Sequence, residues 1–349
     1  MMSDNPKPYN FILKQGVKEY FRYVINMLCV IFSFLMGRCS YARMRAYIRG
    51  CMDMIRNKLT KYTSNQNLFN GKRMLTLDEA QRFISEAIES NTPFMAGRFG
   101  TVELGAIRKV RDDNKGLLMP VGITMRDLCN NAGFFPEDKN MLPHFAEVMR
   151  DATRQADLIG IRGDFMEEYE CKVYAEKAEF CHIESLEPFF ASESWTSKLE
   201  NKRVLVIHPF EDTIRSQYKR RELLFPGTNI LPKFELITQR AVQTIAFNKD
   251  ERFNTWFDAL DYMHQEAMKK DFDVAIIGCG AYGFPLAAMI KQSGKIAIHL
   301  GGVTQMVFGI KGFRWENMSK YKELVSNPNW VNPQERPEDF INVEGGCYW

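Results

Sequence analysis

The clearest structural signal in the sequence is Asp273-Val-Ala-Ile-Ile-Gly-Cys-Gly-Ala-Tyr-Gly-Phe-Pro-Leu-Ala287, followed by Lys295-Ile-Ala-Ile-His-Leu-Gly-Gly302. The order is apolar strand, glycine turn, helix, strand and second glycine turn, which is one βαβ unit of a parallel sheet. Gly278, Gly280 and Gly283 fit the pattern G-x-G-x-x-G, in which backbone N–H groups can approach a phosphate at a helix N-terminus. The unit therefore predicts a nucleotide site, with a close-packed turn that binds nothing as the alternative.

The residues after the second strand narrow the class of nucleotide. An enzyme that binds a dinucleotide usually has an acid about 20 residues after the glycine turn, where it holds the ribose hydroxyls. Here His299 and Leu300 occupy that place, and the next acid is Glu316. An NAD- or S-adenosylmethionine-dependent enzyme is therefore only an alternative, and a non-catalytic nucleotide-binding membrane adaptor is another.

Short apolar runs alternate with amphipathic patterns over most of the chain. The predicted strands are 93–97, 157–161, 179–183, 203–208, 273–277 and 296–300, and further predicted helices span 76–90, 137–155, 165–177, 212–223 and 250–269. The first of these helices opens with the capping box Thr76-Leu-Asp-Glu79. This alternation predicts an α/β fold, a Rossmann-like open parallel sheet with helices on both faces.

Charge divides the chain into a basic N-terminal arm and a mildly acidic body. Residues 1–61 hold eleven Lys or Arg and three acids, a net charge of +8, whereas the whole chain carries +3 and the rest therefore −5. The run 24–36 has Asn26 and Ser33 as its only polar residues, and it is shorter than the about 20 apolar residues of a membrane span. A basic, apolar helical arm predicts peripheral association with an anionic membrane surface. Packing against the body or a dimer partner is the alternative.

The remaining organisation is read from composition. Residues 62–75 are polar and suit a linker, residues 76–326 form the predicted α/β catalytic domain, and residues 327–349 form a tail that we expect to wrap the surface.

The eight cysteines and five histidines are dispersed without a C-x-x-C pair, so a zinc site or redox motif is not supported. Reduced cysteines and the basic arm predict a cytoplasmic protein at the inner face of the cell membrane. Nucleic acid is not an expected partner, because the basic residues lack an aromatic stacking platform.

In an open α/β sheet, ligands bind beyond the carboxyl ends of the strands, so the residues just after the strands form the candidate site. Arginines, carboxylates, histidines and glycine turns recur there: Arg98, Gly100, Thr101, Glu103, Arg162, Asp164, His208, Asp212, Arg215, Lys219, Gly278, Gly280, Tyr282, Gly283, His299, Gly301 and Gly302. Cations and N–H groups suit a polyphosphate, and a carboxylate can hold a divalent ion or accept a proton.

Each of these features also has a structural alternative. Arg98 and Glu103 can form an ion pair that brackets a turn. Asp164 and Asp212 can cap the helices that come after them, and the basic residues 219–221 can be a solvated helix face. The histidines can be hydrogen-bonded residues at the edge of the core.

Two of these segments resemble a known family. The segment Gly97-Arg-Phe-Gly-Thr-Val-Glu103, together with the glycine turn and the strand after it, is similar to the GT-D type of glycosyltransferase, which builds bacterial surface glycans. The resemblance spans about residues 75–315. It implies hexosyl transfer from a nucleotide-sugar donor, with UDP as the expected nucleotide, to a glycan or lipid-linked acceptor.

The resemblance also implies a metal site, with one departure in this chain. In that family Arg-Phe-Gly is followed by Asp-x-Glu, whose acids bind the divalent metal on the diphosphate of the donor. Glu103 matches the second acid, and Thr101 stands in place of the first. We therefore expect Mn²⁺ or Mg²⁺ to be held weakly by Glu103 or to be dispensable, and Thr101→Asp to tighten its binding.

The expected chemistry assigns roles to the remaining candidates. The leaving diphosphate gains negative charge, which Arg98, Arg215 and Lys219 would neutralise together with the N–H groups of the glycine turns. Glu103 and Asp212 are the candidate bases for the acceptor hydroxyl. Gly280→Val is expected to abolish nucleotide binding and to leave the fold largely intact, because a branched Cβ would block the approach of a phosphate.

Overall fold

The computed structural model describes residues 68–114, 124–164 and 167–349, together with Leu28, Ile31 and Leu35. The chain divides into two compact units, Met1–Leu68 with Ile107–Ile123, and Phe69–Ala106 with Thr124–Trp349. In the first unit the three single residues are helical, and residues 107–114 end a helix that begins at Thr101. Apart from those single residues, the predicted basic arm lies outside the described part of the chain. Within the described ranges, no helix is long and apolar enough to cross a membrane.

The second unit contains most of the regular structure. Its strands and those of a short N-terminal hairpin are β1 (Leu68–Phe69), β2 (Lys72–Arg73), β3 (Phe94–Gly97), β4 (Leu158–Ile161), β5 (Glu179–His182), β6 (Arg203–His208), β7 (Glu235–Arg240), β8 (Val274–Ile277) and β9 (Ile296–His299). The helices are α1 (Leu77–Ser90), α2 (Thr101–Asn114), α3 (Met125–Ala132), α4 (Leu142–Gln155), α5 (Glu167–Tyr174), α6 (Glu211–Tyr218), α7 (Trp256–Met268) and α8 (Gly283–Gln292). One-turn helices lie at Thr304–Val307, Phe313–Glu316 and Lys322–Val325.

Strands β3 to β9 form one seven-stranded sheet in which every pairing is parallel. The order across the sheet is β5-β4-β3-β9-β8-β6-β7, so the first and last strands of the sheet lie side by side at its centre. Consecutive strand residues such as Ile276 and Ile277 point to opposite faces, and both are fully buried. Both faces of the sheet are therefore covered, and the predicted open parallel α/β sheet is confirmed.

The six predicted strands are present, and the structure adds a seventh, β7. Its residues are mostly half-exposed, because β7 pairs only with β6 at one edge of the sheet. Its sequence, Glu235-Leu-Ile-Thr-Gln-Arg240, therefore lacks the apolar run that marks the buried strands. The first predicted helix begins as expected, since Thr76 and Glu79 form a complete capping box at the start of α1.

Two segments at the ends of the predicted domain differ from expectation. The described part of the linker, from residue 68, contains the β1–β2 hairpin, and Leu75 forms a parallel bridge with Cys181. The tail at 327–349 does not simply wrap the surface, because Trp330 and Trp349 are buried in the main hydrophobic core. Apolar side chains without a periodic pattern give no sequence signal for this packing.

Candidate functional site

The loops after β3 and β9 lie side by side at the carboxyl edge of the sheet, because these strands are neighbours. The first loop runs from Arg98 to Gly100 and leads into α2. The second runs from Leu300 through Gly301 and Gly302. Arg98 joins the two loops, since its Nε donates a hydrogen bond to the carbonyl oxygen of Leu300 at 3.2 Å.

Arg98 is a half-buried cation that has no carboxylate partner within the described ranges. Its guanidinium lies over Gly301, where any Cβ would collide with it. Among the described residues, no Asp or Glu oxygen lies within 4.0 Å of its nitrogens. Burial lowers the pKa of Arg98, and so do the nearby charges of Arg162 and Arg314. The group remains a cation at neutral pH, because an arginine titrates far above it.

Thr101, Arg162 and Asp164 form a hydrogen-bonded group at the ends of β3 and β4. The Thr101 hydroxyl donates to Oδ2 of Asp164 at 2.7 Å and accepts a hydrogen bond from the Arg162 guanidinium at 2.8 Å. Arg162 and Asp164 are also an ion pair, with Nε and Oδ2 4.0 Å apart. The residue that replaces the first acid of the related motif is therefore engaged by a cation and a carboxylate of the neighbouring loop.

A buried carboxylate holds that neighbouring loop in place. Glu167 is 1% exposed at the start of α5. Its carboxylate accepts hydrogen bonds from the backbone N–H groups of Gly163 at 2.7 Å and Asp164 at 3.2 Å. Arg162 and Asp164 are thus presented on a loop whose backbone is fixed, although no sequence pattern singles out Glu167.

Glu103 is buried in the first turn of α2, with 8% of its surface exposed. Its carboxylate folds back over Gly100, where a Cβ would collide with both carboxylate oxygens. Burial raises the pKa of Glu103, and its own backbone N–H, Arg98 and Arg162 oppose that rise. A carboxylate with a raised pKa is a stronger proton acceptor, so the environment suits acid–base chemistry.

The glycine turn at 278–283 is filled by the protein's own atoms. A Cβ at Gly278 would lie 2.6 Å from the carbonyl oxygen of Gly301, and a Cβ at Gly283 would overlap the ring of His299. Gly280 has a φ of +58°, and its Cβ would lie 3.0 Å from a backbone carbonyl oxygen of α3. Close packing therefore requires these glycines, as in the structural alternative for the motif.

Tyr282 and the two strand-end histidines are enclosed in the core. The Tyr282 ring is 1% exposed and stacks on Trp256 with centroids 5.0 Å apart. Burial lowers the pKa of His208 to about 3, and its Nδ1 accepts a hydrogen bond from the N–H of Phe210 at 3.0 Å. Burial, reinforced by the charge of Arg98, lowers the pKa of His299 to about 3. Nδ1 of His299 is buried and has no partner within the described ranges.

The C-terminal tail and the one-turn helix Phe313–Glu316 add residues to this edge that the sequence did not indicate. The ring of Tyr348 lies against Gly302, where a Cβ would be 2.5 Å from Cε1. Arg314 donates a hydrogen bond to the Tyr348 hydroxyl at 3.2 Å and forms an ion pair with Glu344. Burial raises the pKa of Tyr348, and the charges of Arg314 and Arg98 oppose the rise. No periodicity or motif marks Arg314 or Tyr348 before folding.

A second buried carboxyl group, Glu187, lies within electrostatic reach of Arg98. Glu187 is 6% exposed, and its two oxygens accept hydrogen bonds from the Tyr321 hydroxyl at 2.8 and 2.7 Å. Burial raises its pKa, and Lys320, Tyr321 and Arg98 oppose the rise. This carboxyl was not among the residues expected from the sequence.

Asp212, Arg215 and Lys219 lie on α6 or just beyond it, after β6, and β9 and β8 separate β3 from β6. Asp212 is exposed and forms an ion pair with Arg240. Arg215 pairs with Glu211 at 2.7 Å, so its charge is already balanced. Lys219 is exposed at the far end of α6. The structure therefore does not bring these three residues into the group around Arg98.

Comparison with known proteins gives a match in structure alone. No protein-family model matches the chain, and no curated protein matches it. One similar solved structure is described as the highly conserved domain of unknown function 1792, which has a distinct glycosyltransferase fold; the TM-score is 0.40 at 12% identity, over 80% of this chain and 91% of that chain. A selenomethionine-substituted structure of the same domain has the same TM-score and identity, over 79% and 90%. The chain thus has a structural match, at low identity, to a domain with a glycosyltransferase fold.

Proposed function

We propose that the chain is a glycosyltransferase that moves a sugar from a nucleoside-diphosphate donor to a hydroxyl of a glycan or lipid-linked acceptor. The observation that carries the proposal is Arg98, a half-buried cation between the β3 and β9 loops with no carboxylate within 4.0 Å in the described structure. Burying a charge without a carboxylate bonded directly to it is costly, so such a residue is expected where an anionic ligand binds. Arg162 and Arg314 add positive charge close to it.

A diphosphate suits this group of arginines in both charge and hydrogen bonding. The departing diphosphate gains negative charge as the glycosidic bond breaks, and cations already in place stabilise that charge. Only Nε of the Arg98 guanidinium has an acceptor among the described residues, so its other N–H groups can bind phosphate oxygens in pairs. The role first expected of Arg215 and Lys219 therefore passes to Arg162, because Arg314 is already paired with Glu344.

Glu103 is the candidate proton acceptor for a transfer that inverts the anomeric centre. Its carboxyl is buried within reach of Arg98 and Arg162, and its raised pKa favours taking a proton from the acceptor hydroxyl. Asp212 is less suited, because its carboxylate is exposed and paired with Arg240 on another part of the edge.

A ligand screen tests the class of donor. We expect UDP, GDP or their sugar conjugates to raise the melting temperature of the full-length protein, and NAD and S-adenosylmethionine to leave it unchanged. Transfer to a lipid-linked or glycan acceptor is then assayed with the sugar nucleotide that binds. Stabilisation by NAD or S-adenosylmethionine alone would contradict the proposal and favour the alternative enzyme class.

A matched pair of arginine variants tests the site. Arg98→Gln removes a cation that has no carboxylate partner in the part of the chain that the structure describes, whereas Arg215→Gln removes one that Glu211 already balances. Loss of a charged hydrogen bond costs about 1.5–3 kcal/mol, so Arg98→Gln should weaken nucleotide binding roughly 10- to 150-fold in calorimetry. Arg215→Gln should bind as the wild type does. Equal affinity of the wild type and Arg98→Gln would show that the phosphates bind elsewhere.

A further inference from the structure

The residues at the Thr101 position do not fit a divalent cation. A metal bound to the Thr101 hydroxyl would require an oxygen whose proton and one lone pair are already engaged by Asp164 and Arg162. Mg²⁺ and Mn²⁺ bind oxygen at about 2.0–2.2 Å, so the ion would approach the Arg162 guanidinium, which is itself 2.8 Å from the same oxygen. A metal ion that close to the Arg162 guanidinium would be repelled strongly, because the site is partly buried.

Glu103 does not complete a metal site either. Its carboxylate folds back over Gly100 and is buried. Within the described ranges, no three His, Cys, Asp or Glu residues are grouped so that they could hold a metal ion. Among the described residues, the weak metal expected from the sequence therefore has no second charged ligand beside Glu103, because the candidate replacement, Asp164, is bound to Thr101 and Arg162.

We propose that the guanidinium of Arg162, held by Thr101 and Asp164, takes the place of a divalent ion, so that the donor diphosphate binds without metal. This inference rests on the proposed function. Thr101 in place of an acid is essential to it, since a hydroxyl can accept a hydrogen bond from Arg162 without neutralising its charge. The ion pair with Asp164, at 4.0 Å, is longer than the 2.7 Å pair of Arg215 with Glu211, so its carboxylate engages Arg162 less closely.

The loop that carries Arg162 is built to hold a cation in one position. Glu167, buried beneath it, accepts hydrogen bonds from two successive backbone N–H groups of the loop. The Arg162 side chain remains 42% exposed, so a ligand can reach it. Arg162, held in position near Arg98, can bind two phosphate groups together with it, and little conformational freedom is lost on binding.

Calorimetry with UDP tests the inference on the full-length protein. We expect the dissociation constant to change less than about threefold between buffer with EDTA and buffer with Mn²⁺. Arg162→Gln should weaken UDP binding at least tenfold in EDTA, whereas Arg215→Gln, the balanced surface arginine, should not. Binding of UDP only in Mn²⁺ would overturn the inference and leave the proposed function standing. No binding of any nucleoside diphosphate in either buffer would overturn both.

Metal binding itself gives a second test that does not depend on nucleotide. Titration with Mn²⁺ alone should show no binding by Thr101→Asp, because the new carboxylate pairs with Arg162; this reverses the expectation from the sequence. The double variant Thr101→Asp with Arg162→Gln should bind Mn²⁺, since it places two acids beside Glu103 without the competing cation. Equal Mn²⁺ affinity of the single and double variants would show that Arg162 does not exclude the metal. Melting temperatures close to that of the wild type establish that the variants are folded.

Discussion

His208 should make the folded chain lose stability in mild acid. Its ring is 4% exposed at the end of β6, and burial lowers its pKa to about 3 from the ordinary value of 6.5. The unfolded chain takes up a proton near pH 6.5, whereas the folded chain leaves the ring neutral until about pH 3. The stabilising contribution of the neutral ring is therefore complete above pH 6.5 and is lost as the pH falls from 6.5 through 3.

The size of the effect can be worked out from the same two pKa values. Of the interval between pH 7 and pH 5, about 1.5 pH units lie below the pKa of the His208 side chain in the unfolded chain. Each of these units lowers the free energy of unfolding by about 1.4 kcal/mol. The free energy of unfolding should therefore fall by about 2 kcal/mol over this interval because of His208 alone. That is a substantial part of the roughly 5–15 kcal/mol that typically separates folded from unfolded domains.

Urea unfolding of the wild type and His208→Asn, each at pH 7 and pH 5, isolates this contribution. The asparagine oxygen can accept the hydrogen bond that Nδ1 accepts from the Phe210 N–H, but the side chain does not titrate. The packing cost of the smaller side chain applies at both pH values and cancels in the comparison. The wild type should lose about 2 kcal/mol more than the variant. An equal loss in both proteins would refute the assignment of a buried neutral ring.

Three further predictions concern the glycines and the N-terminal arm. Gly100→Ala should displace the Glu103 carboxylate, because the added Cβ would occupy the position of the carboxylate. Both Gly100→Ala and Glu103→Gln should therefore lower turnover by roughly 10²–10⁴-fold. Normal turnover in both variants would show that Glu103 takes no part in the chemistry. Gly280→Val should destabilise the fold by about 1–3 kcal/mol in urea unfolding, contrary to the expectation from the sequence, because its φ of +58° and the backbone carbonyl oxygen 3.0 Å from its Cβ both oppose a branched side chain; an unchanged free energy of unfolding would contradict this. Deleting residues 1–61 should release the protein from anionic vesicles in a sedimentation assay without abolishing nucleotide binding, and unchanged vesicle binding by the truncated chain would exclude the arm as the anchor.

The sequence by itself determined the fold class and the edge of the sheet where the candidate site lies. A strand that is buried on both faces is apolar along almost its whole length. Runs such as Val274–Ile277 and Ile296–His299 can therefore be identified as strands from the sequence alone. Parallel strands expose their carboxyl ends at one edge, so the polar residues just after them can be assigned to that edge. Arg98, Thr101 and Glu103 were assigned to this edge in this way, and they lie there in the structure.

Only the tertiary structure decided which of those residues lie together. Arg98 and Arg215 both come after predicted strands, but the strand order puts β3 beside β9 and places α6 after β6, nearer the other side of the sheet. The glycine turn matches a phosphate-binding pattern, yet its space is taken by His299 and the Gly301 backbone. Arg314 and Tyr348 come to this edge through contacts between segments that are distant in the sequence. A single contact of this kind imposes no repeating pattern on the residues next to it along the chain, so periodicity could not identify either residue.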